Sequence, residues 1–168
     1  MKRLSLIACL LVLTLSAQAQ FEQGKWRFAT ALTGLDFHHE TDVDRTSLGI
    51  EVSAGAFVAD NTALLVHLGA MWNQGELERD VYSAGVGMRY YFDKVGVFVG
   101  ANVNLDRYVY DNEWEWAGYE DDTKFSFGVE VGYAFFLSRT VTIEPSLYWN
   151  VDKDRSRYGL DIAFGFYF

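Results

Sequence analysis

The sequence is poor in cysteine, proline and basic residues. Its 168 residues include one Cys and one Pro, and 14 Lys and Arg stand against 23 Asp and Glu. One cysteine excludes an internal disulfide framework. The formal charge of -9 excludes the basic surface that nucleic acid phosphates require, so we expect no nucleic acid partner. After the N-terminal segment there is no apolar run long enough for a transmembrane helix.

The N-terminus has the pattern of a secretory signal peptide. A Lys-Arg pair is followed by an apolar run over residues 4–15 and by the small-residue motif Ala-Gln-Ala, which ends at Ala19. We therefore predict a signal peptide over residues 1–19 and one domain over residues 20–168. Cys9 also resembles a lipoprotein processing site, but it lies inside the apolar run rather than after it.

From residue 25 onward, apolar and polar residues alternate in steps of two, which is the period of a β-strand. The pattern predicts eight strands and no helix. Short turns alternate with longer polar connections along the chain. This alternation is typical of outer-membrane barrels, and an even strand number places both termini at the short-turn, periplasmic end. The predicted strands cover residues 25–35, 46–58, 62–73, 80–92, 95–108, 123–137 and 140–150, and the C-terminal stretch.

One face of these strands is apolar, and the opposite face is polar and rich in glycine. In a soluble sandwich the apolar face would be the core, and the glycine bias would have no explanation. In a membrane barrel the apolar face meets lipid, and glycine on the inner face makes room for long side chains. Eleven of the 15 glycines share the polar face: Gly49, Gly55, Gly69, Gly85, Gly87, Gly96, Gly100, Gly128, Gly132, Gly159 and Gly165.

The aromatic residues also favour the membrane barrel. They lie near both ends of the predicted strands, whereas the middles are mostly Val, Ala, Leu and Ile. Two aromatic girdles around an aliphatic band are expected at the two membrane interfaces. We therefore predict an all-β fold, an eight-stranded antiparallel up-and-down transmembrane β-barrel.

The C-terminal sequence GLDIAFGFYF resembles the signal by which the barrel-assembly machinery recognises outer-membrane proteins. Its apolar face carries Leu160, Ile162, Phe164, Phe166 and Phe168. Residues 20–168 as a whole resemble the small outer-membrane β-barrel domain family, of OmpX or OmpA-barrel type. The resemblance implies the outer membrane of a Gram-negative bacterium. It also implies contact with outer-membrane lipid and lipopolysaccharide, and binding to the assembly machinery.

Pro145 does not fit this pattern well. It occupies a lipid-facing position in the middle of the seventh predicted strand. Proline has no N–H to donate to a β-ladder, and it is normally found at edges or bulges. We expect either a β-bulge at Pro145 or a register that differs from the prediction.

Charges of both signs lie on the predicted inner face. An eight-stranded barrel has an interior just wide enough for side chains to fill it. Because buried charges need partners, we expect an ion-pair network that fills the lumen. The alternative is a narrow channel for small solutes or ions. The predicted lumen charges are Lys25, Arg27, Glu51, Arg89, Lys124, Glu130, Glu144 and Asp161.

The longest predicted loop, residues 108–122, combines carboxylates with aromatic residues. Its candidate surface residues are Asp111, Glu113, Trp114, Glu115, Trp116 and Tyr119. Carboxylates there could hold a divalent cation beside lipid phosphates. Their spacing matches no metal-binding motif, however, so we expect a solvated loop with interface-anchoring aromatics.

A lipid-modifying enzyme is the third hypothesis. His38 and His39 lie in the first long loop, where a barrel enzyme can place a general base. No residue spacing identifies a Ser-His-Asp set. We therefore expect a small, monomeric, non-enzymatic outer-membrane barrel without a cofactor. Its expected role is structural or surface-interacting, in envelope integrity, adhesion or protection.

Overall fold

A computed structural model describes residues 21–35, 46–74, 79–92, 96–110, 122–153 and 156–168. The signal peptide predicted for residues 1–19 lies outside these ranges and stays a prediction. Within the described ranges, no helix has the length and hydropathy to cross a bilayer.

The described chain forms nine strand segments that make one antiparallel sheet. The sixth and seventh segments both pair with the eighth and together form one strand of the barrel, so the barrel has eight strands. The predicted eight-stranded up-and-down barrel is confirmed. The segments are β1 (Trp26–Leu35), β2 (Thr46–Ala59), β3 (Thr62–Gln74), β4 (Arg79–Tyr91), β5 (Val97–Tyr110), β6 (Asp122–Tyr133), β7 (Phe135–Phe136), β8 (Val141–Val151) and β9 (Ser156–Tyr167).

The sheet closes on itself between its first and last strands. Arg27 pairs with Tyr167, and the same register runs to Leu32 opposite Ile162. Beyond the ladder, the Trp26 N–H donates to the Phe168 carbonyl at 2.7 Å. Closure leaves no strand edge exposed, which hydrocarbon surroundings require. Both described chain ends lie at the end of the barrel that carries the turn at 60–61, the short-turn end; the opposite end is the long-loop end.

Pro145 lies inside β8 without a bulge. The pairs Gly132–Ser146 and Phe135–Ile143, which flank it, belong to a single register. On its other side, Pro145 remains paired with Ile162 of β9. The ladder is instead interrupted between β6 and β7, opposite the position where Pro145 has no N–H to donate. The expected bulge or changed register at Pro145 is therefore wrong, because a break in the neighbouring strand accommodates the proline.

The outer wall of the barrel is apolar and exposed. Leu64, Val66 and Leu68 in the middle of β3 are 50%, 58% and 61% exposed. Exposed aromatics lie near both ends of the strands, with Trp72 towards the long loops and Trp26 towards the short turns. An apolar surface of this extent would be unstable against water, and it matches an aliphatic band between two interfacial girdles.

The closed barrel predicts heat modifiability on a gel. The mature chain, folded into detergent, should migrate faster unboiled than boiled, because a closed barrel stays compact until heat opens it. The unboiled sample should also show β-type circular dichroism. A chain that remains soluble without detergent and shows no mobility shift would contradict the lipid-facing assignment of the outer wall.

Candidate functional site

The centre of the lumen is built around one carboxylate, Glu144 of β8. Oε2 of Glu144 accepts a hydrogen bond from Arg27 at 2.6 Å and one from Arg89 at 2.8 Å. Oε1 accepts from the hydroxyls of Thr142 and Tyr167, each at 2.6 Å. Glu144 and Arg27 are each only 1% exposed. Four charge-assisted or hydroxyl hydrogen bonds therefore replace the water that this carboxylate loses on burial.

Both arginines extend the network to other strands. Nε and Nη2 of Arg89 donate to the two carboxylate oxygens of Glu130 at 2.9 and 2.8 Å, a bidentate pair. The guanidinium of Arg89 also lies 4.0 Å from the ring centre of Phe98. Arg27 donates to the Ser53 hydroxyl at 3.0 Å. These contacts connect β1, β2, β4, β5, β6 and β8 across the lumen.

Two glycines make room for the carboxylates of this network. A Cβ on Gly165 would lie 2.5 Å from Oε1 of Glu144, and a Cβ on Gly100 would lie 2.7 Å from Cγ of Glu130. A side chain at either position would force the neighbouring carboxylate to move from its place in the network. The glycine bias of the inner face therefore has a steric basis in the charged side chains that cross it.

The short-turn end of the lumen is packed with aromatic rings. Tyr91 and Tyr167 are fully buried, and their hydroxyls lie 3.1 Å apart. They lie beside the ionic centre, the name used below for the network of Arg27, Arg89, Glu130 and Glu144. Sequence reasoning missed this cluster, although adjacent aromatics at the strand ends signalled it. Where two aromatics follow one another in a strand, one must face inward. The aromatic cluster comprises Phe21, Phe57, Tyr91, Phe98, Phe136 and Tyr167.

The lumen between the ionic centre and the long-loop end contains a polar cavity of about 90 Å³. His67 contacts Asn104 on its wall, and Asn104 in turn donates to Asn102 at 3.0 Å. Asp106 accepts from Arg157 at 3.2 Å. A space of this size holds a few water molecules, whereas drug-sized ligands occupy pockets of roughly 300–1,000 Å³.

The structure places the predicted lumen charges in four locations. Four meet in the ionic centre: Arg27, Arg89, Glu130 and Glu144. Glu51 and Asp161 line the polar cavity. Lys124 lies 6.0 Å from the ring centre of Tyr108, towards the long loops. Lys25 precedes β1 at the short-turn end and makes no ion pair with the described residues of the centre.

Other polar members of the lumen were not predicted. Asp106 accepts from the Ser126 hydroxyl at 2.8 Å as well as from Arg157. Tyr108 donates to Asp152 at 3.1 Å. Their step-of-two spacing along the inner face was the available signal, because Asp106 and Tyr108 continue the series of Asn102 and Asn104.

The acidic aromatic loop lies outside the described residues. This applies to Asp111, Glu113, Trp114, Glu115, Trp116 and Tyr119. His38 and His39 lie outside them too. The expectations for both loops stay predictions. Over the residues that are described, no three His, Cys, Asp or Glu side chains are arranged to hold a metal ion.

Comparison with known families shows one clear match. The family model for the outer membrane protein beta-barrel domain matches residues 5–164. No curated protein sequence matches the chain.

Several solved structures share the fold at low sequence identity. Neisserial surface protein A is 16% identical with a TM-score of 0.58, and the match covers 85% of this chain and 94% of that one. The N-terminal barrel domain of Pseudomonas aeruginosa OprF is 12% identical with a TM-score of 0.60, covering 87% and 98%. Ail, the attachment invasion locus protein of Yersinia pestis, is 14% identical with a TM-score of 0.53, covering 87% and 99%. At these identities the likeness shows the fold alone.

The arrangement around Glu144 predicts a strong asymmetry between two carboxylate deletions. Glu144→Ala should lower the free energy of unfolding by about 3–5 kcal/mol, because it leaves two buried guanidinium groups without their shared partner. Glu130→Ala should cost less, roughly 1–3 kcal/mol, because Glu130 is 15% exposed and pairs with Arg89 alone. Urea unfolding in lipid vesicles, followed by tryptophan fluorescence, measures both. Equal losses for the two variants would contradict the central role of Glu144.

Proposed function

The chain belongs to the outer membrane protein beta-barrel domain family and resides in the outer membrane of a Gram-negative bacterium; on this premise we propose that it is a non-conducting barrel that acts through its outer surfaces. Its role is structural or surface-interacting, in envelope integrity, adhesion or protection. We further propose that it is a monomer and not an enzyme.

The observation that carries the proposal is the ionic centre. Arg27 from β1 and Arg89 from β4 reach the same oxygen of Glu144 on β8, so side chains from three strands that are not neighbours meet inside the lumen. The aromatic cluster fills the lumen towards the short turns. A hydrated ion would have to displace charge-assisted hydrogen bonds and buried rings together, which opposes permeation.

The polar cavity supports the narrow-channel alternative only in part. It provides room for water between the ionic centre and the long-loop end, where groups such as Glu51 and Asp161 line it. A channel would also need that water to continue past Arg89 and Tyr91, and both of these side chains are buried. The cavity is therefore better explained as hydration of the buried polar groups.

The position of the histidine in the described part of the chain argues against an enzyme. The described part of the chain contains one histidine, His67, which is buried within the lumen and contacts Asn104. A lipid headgroup or acyl chain outside the barrel could not reach it. A histidine base acting on lipid would have to be His38 or His39 in the first long loop.

The outer wall supports the proposed partners. Its exposed apolar band and its aromatic ends, such as Trp149 and Phe125, suit contact with lipid and with lipopolysaccharide at the long-loop interface. The C-terminal face supports binding to the barrel-assembly machinery, since Phe168 is 67% exposed. The monomer is supported by closure, because β1 and β9 pair with each other and leave no strand edge for a second copy.

Planar-bilayer recording tests the non-conducting barrel. The mature folded protein should give no conductance above the lipid background, because the ionic centre and the aromatic cluster both cross the lumen. The same sample boiled before addition is the control for bilayer damage. Unitary conductance steps that only the folded sample produces would overturn the proposal and establish the narrow channel.

The assembly role of the C-terminus is tested by Phe168→Ala. In cells, the fraction of heat-modifiable protein in the outer membrane should fall severalfold, since the assembly machinery would lose an exposed aromatic at the end of β9. Leu137→Ala is the matched control, because Leu137 is 61% exposed and also lies at the short-turn end. Equal losses for both variants would show a general effect on the apolar wall instead.

A further inference from the structure

A short segment before β1 turns back across the short-turn mouth of the barrel. Its first described residue, Phe21, is only 4% exposed although it belongs to no strand. The Phe21 ring stacks on Tyr91 with a centroid separation of 4.2 Å. It also lies 5.6 Å from Phe136, 5.8 Å from Tyr167 and 5.9 Å from Phe57. Phe21 thus fills the middle of the aromatic cluster from outside the sheet.

Hydrogen bonds fix the segment to the turn between β2 and β3. The N–H of Asn61 donates to the Phe21 carbonyl at 2.6 Å. Asn61 has a φ of 63°, a left-handed conformation that asparagine tolerates better than most residues. The Gln23 N–H donates to the side chain of Asp60 at 2.9 Å, and its amide group donates to the Val58 carbonyl at 3.0 Å. These hydrogen bonds hold the backbone of the segment against the turn at 60–61, in addition to the packing of the Phe21 ring.

The binding site for Phe21 is assembled from strands that are far apart in sequence. Phe57 comes from β2, Tyr91 from β4, Phe136 from β7 and Tyr167 from β9. The last of these strands completes the barrel only when it pairs with β1. Before that pairing, the four rings do not surround a common space. The site for Phe21 therefore exists only in the closed barrel.

We propose that residues 21–24 form a closure latch, in which Phe21 docks after β9 has paired with β1 and then holds the closed barrel shut. The next residues of the chain connect the latch to the seam directly, because Trp26 exchanges backbone hydrogen bonds with Phe168. Opening the seam would pull Phe21 out of the cluster. This inference does not rest on the proposed function, since the latch would act in a conducting barrel as well as in a closed one.

In this proposal the pairing of β9 with β1 is the rate-limiting step of folding. A contact that forms after that step changes the unfolding rate and leaves the folding rate unchanged. Phe21→Ala should therefore accelerate unfolding of the mature chain from lipid vesicles by at least about tenfold, because a buried ring is lost. The folding rate from urea, followed by the heat-modifiable band, should stay within about twofold of the parent rate. Phe21→Leu should unfold at an intermediate rate, because it keeps part of the apolar volume.

Glu22→Ala is the matched control, because Glu22 belongs to the same segment and is exposed. It should leave both rates unchanged. The latch is overturned if Phe21→Ala slows folding as much as it accelerates unfolding, because Phe21 would then dock before closure. It is also overturned if Phe21→Ala fails to fold, since a latch that docks after closure is not needed to reach it.

Amide hydrogen exchange tests the docked state independently. The N–H of Asn61 donates to the Phe21 carbonyl, so its exchange in the folded mature chain requires local opening of the segment. Exchange at Asn61 should be at least about tenfold faster in Phe21→Ala than in the parent chain, and unchanged in Glu22→Ala. Equal exchange rates in Phe21→Ala and the parent would show that the Phe21 ring does not hold the segment in place, and this outcome would overturn the latch.

Discussion

The structure depends on one constraint, which is that every backbone N–H and C=O within hydrocarbon must be paired inside the protein. The seam between β1 and β9 meets it by turning an open sheet into a barrel. Once the sheet is closed, apolar side chains such as Val66 and Leu68 can be exposed on its outer wall. At Pro145, which has no N–H to donate, the neighbouring strand is interrupted and the register on both sides of the interruption is kept without an extra residue.

In the closed barrel, the side chains that must pack against one another are those that point into the lumen. The inner surface is concave and narrow, so long side chains must cross it and small residues must face them. Glu144 illustrates this requirement, because its carboxylate accepts from two arginines while Gly165 leaves the space that it occupies. A buried ion pair of this kind is weak evidence for stability in water-soluble proteins. Here it also positions the strands where they surround the ionic centre, beyond the aromatic cluster at the short-turn end.

The sequence predicts which face of the sheet a side chain occupies better than it predicts which residue that side chain contacts. The step-of-two pattern is sufficient to place Arg27 and Glu144 on the inner face, but these residues are 117 positions apart and meet only through the order and register of the strands. Tyr91 and Tyr167 were missed for a different reason. An aromatic between two other aromatics has no clear direction from hydropathy alone, and its inward position follows from the alternation of the whole strand.

The lumen differs in character along its length. It is aromatic at the short turns, ionic around Glu144, and polar with an open cavity near Asp106, towards the long loops. A transport path would need a continuous polar surface, whereas this lumen ends on one side in a packed core. Such an interior is packed like the core of a small globular protein, and the ionic centre connects the strands around it. Under the proposed function, recognition takes place on the surfaces that this core supports, namely the lipid-facing wall and the connections at the long-loop end.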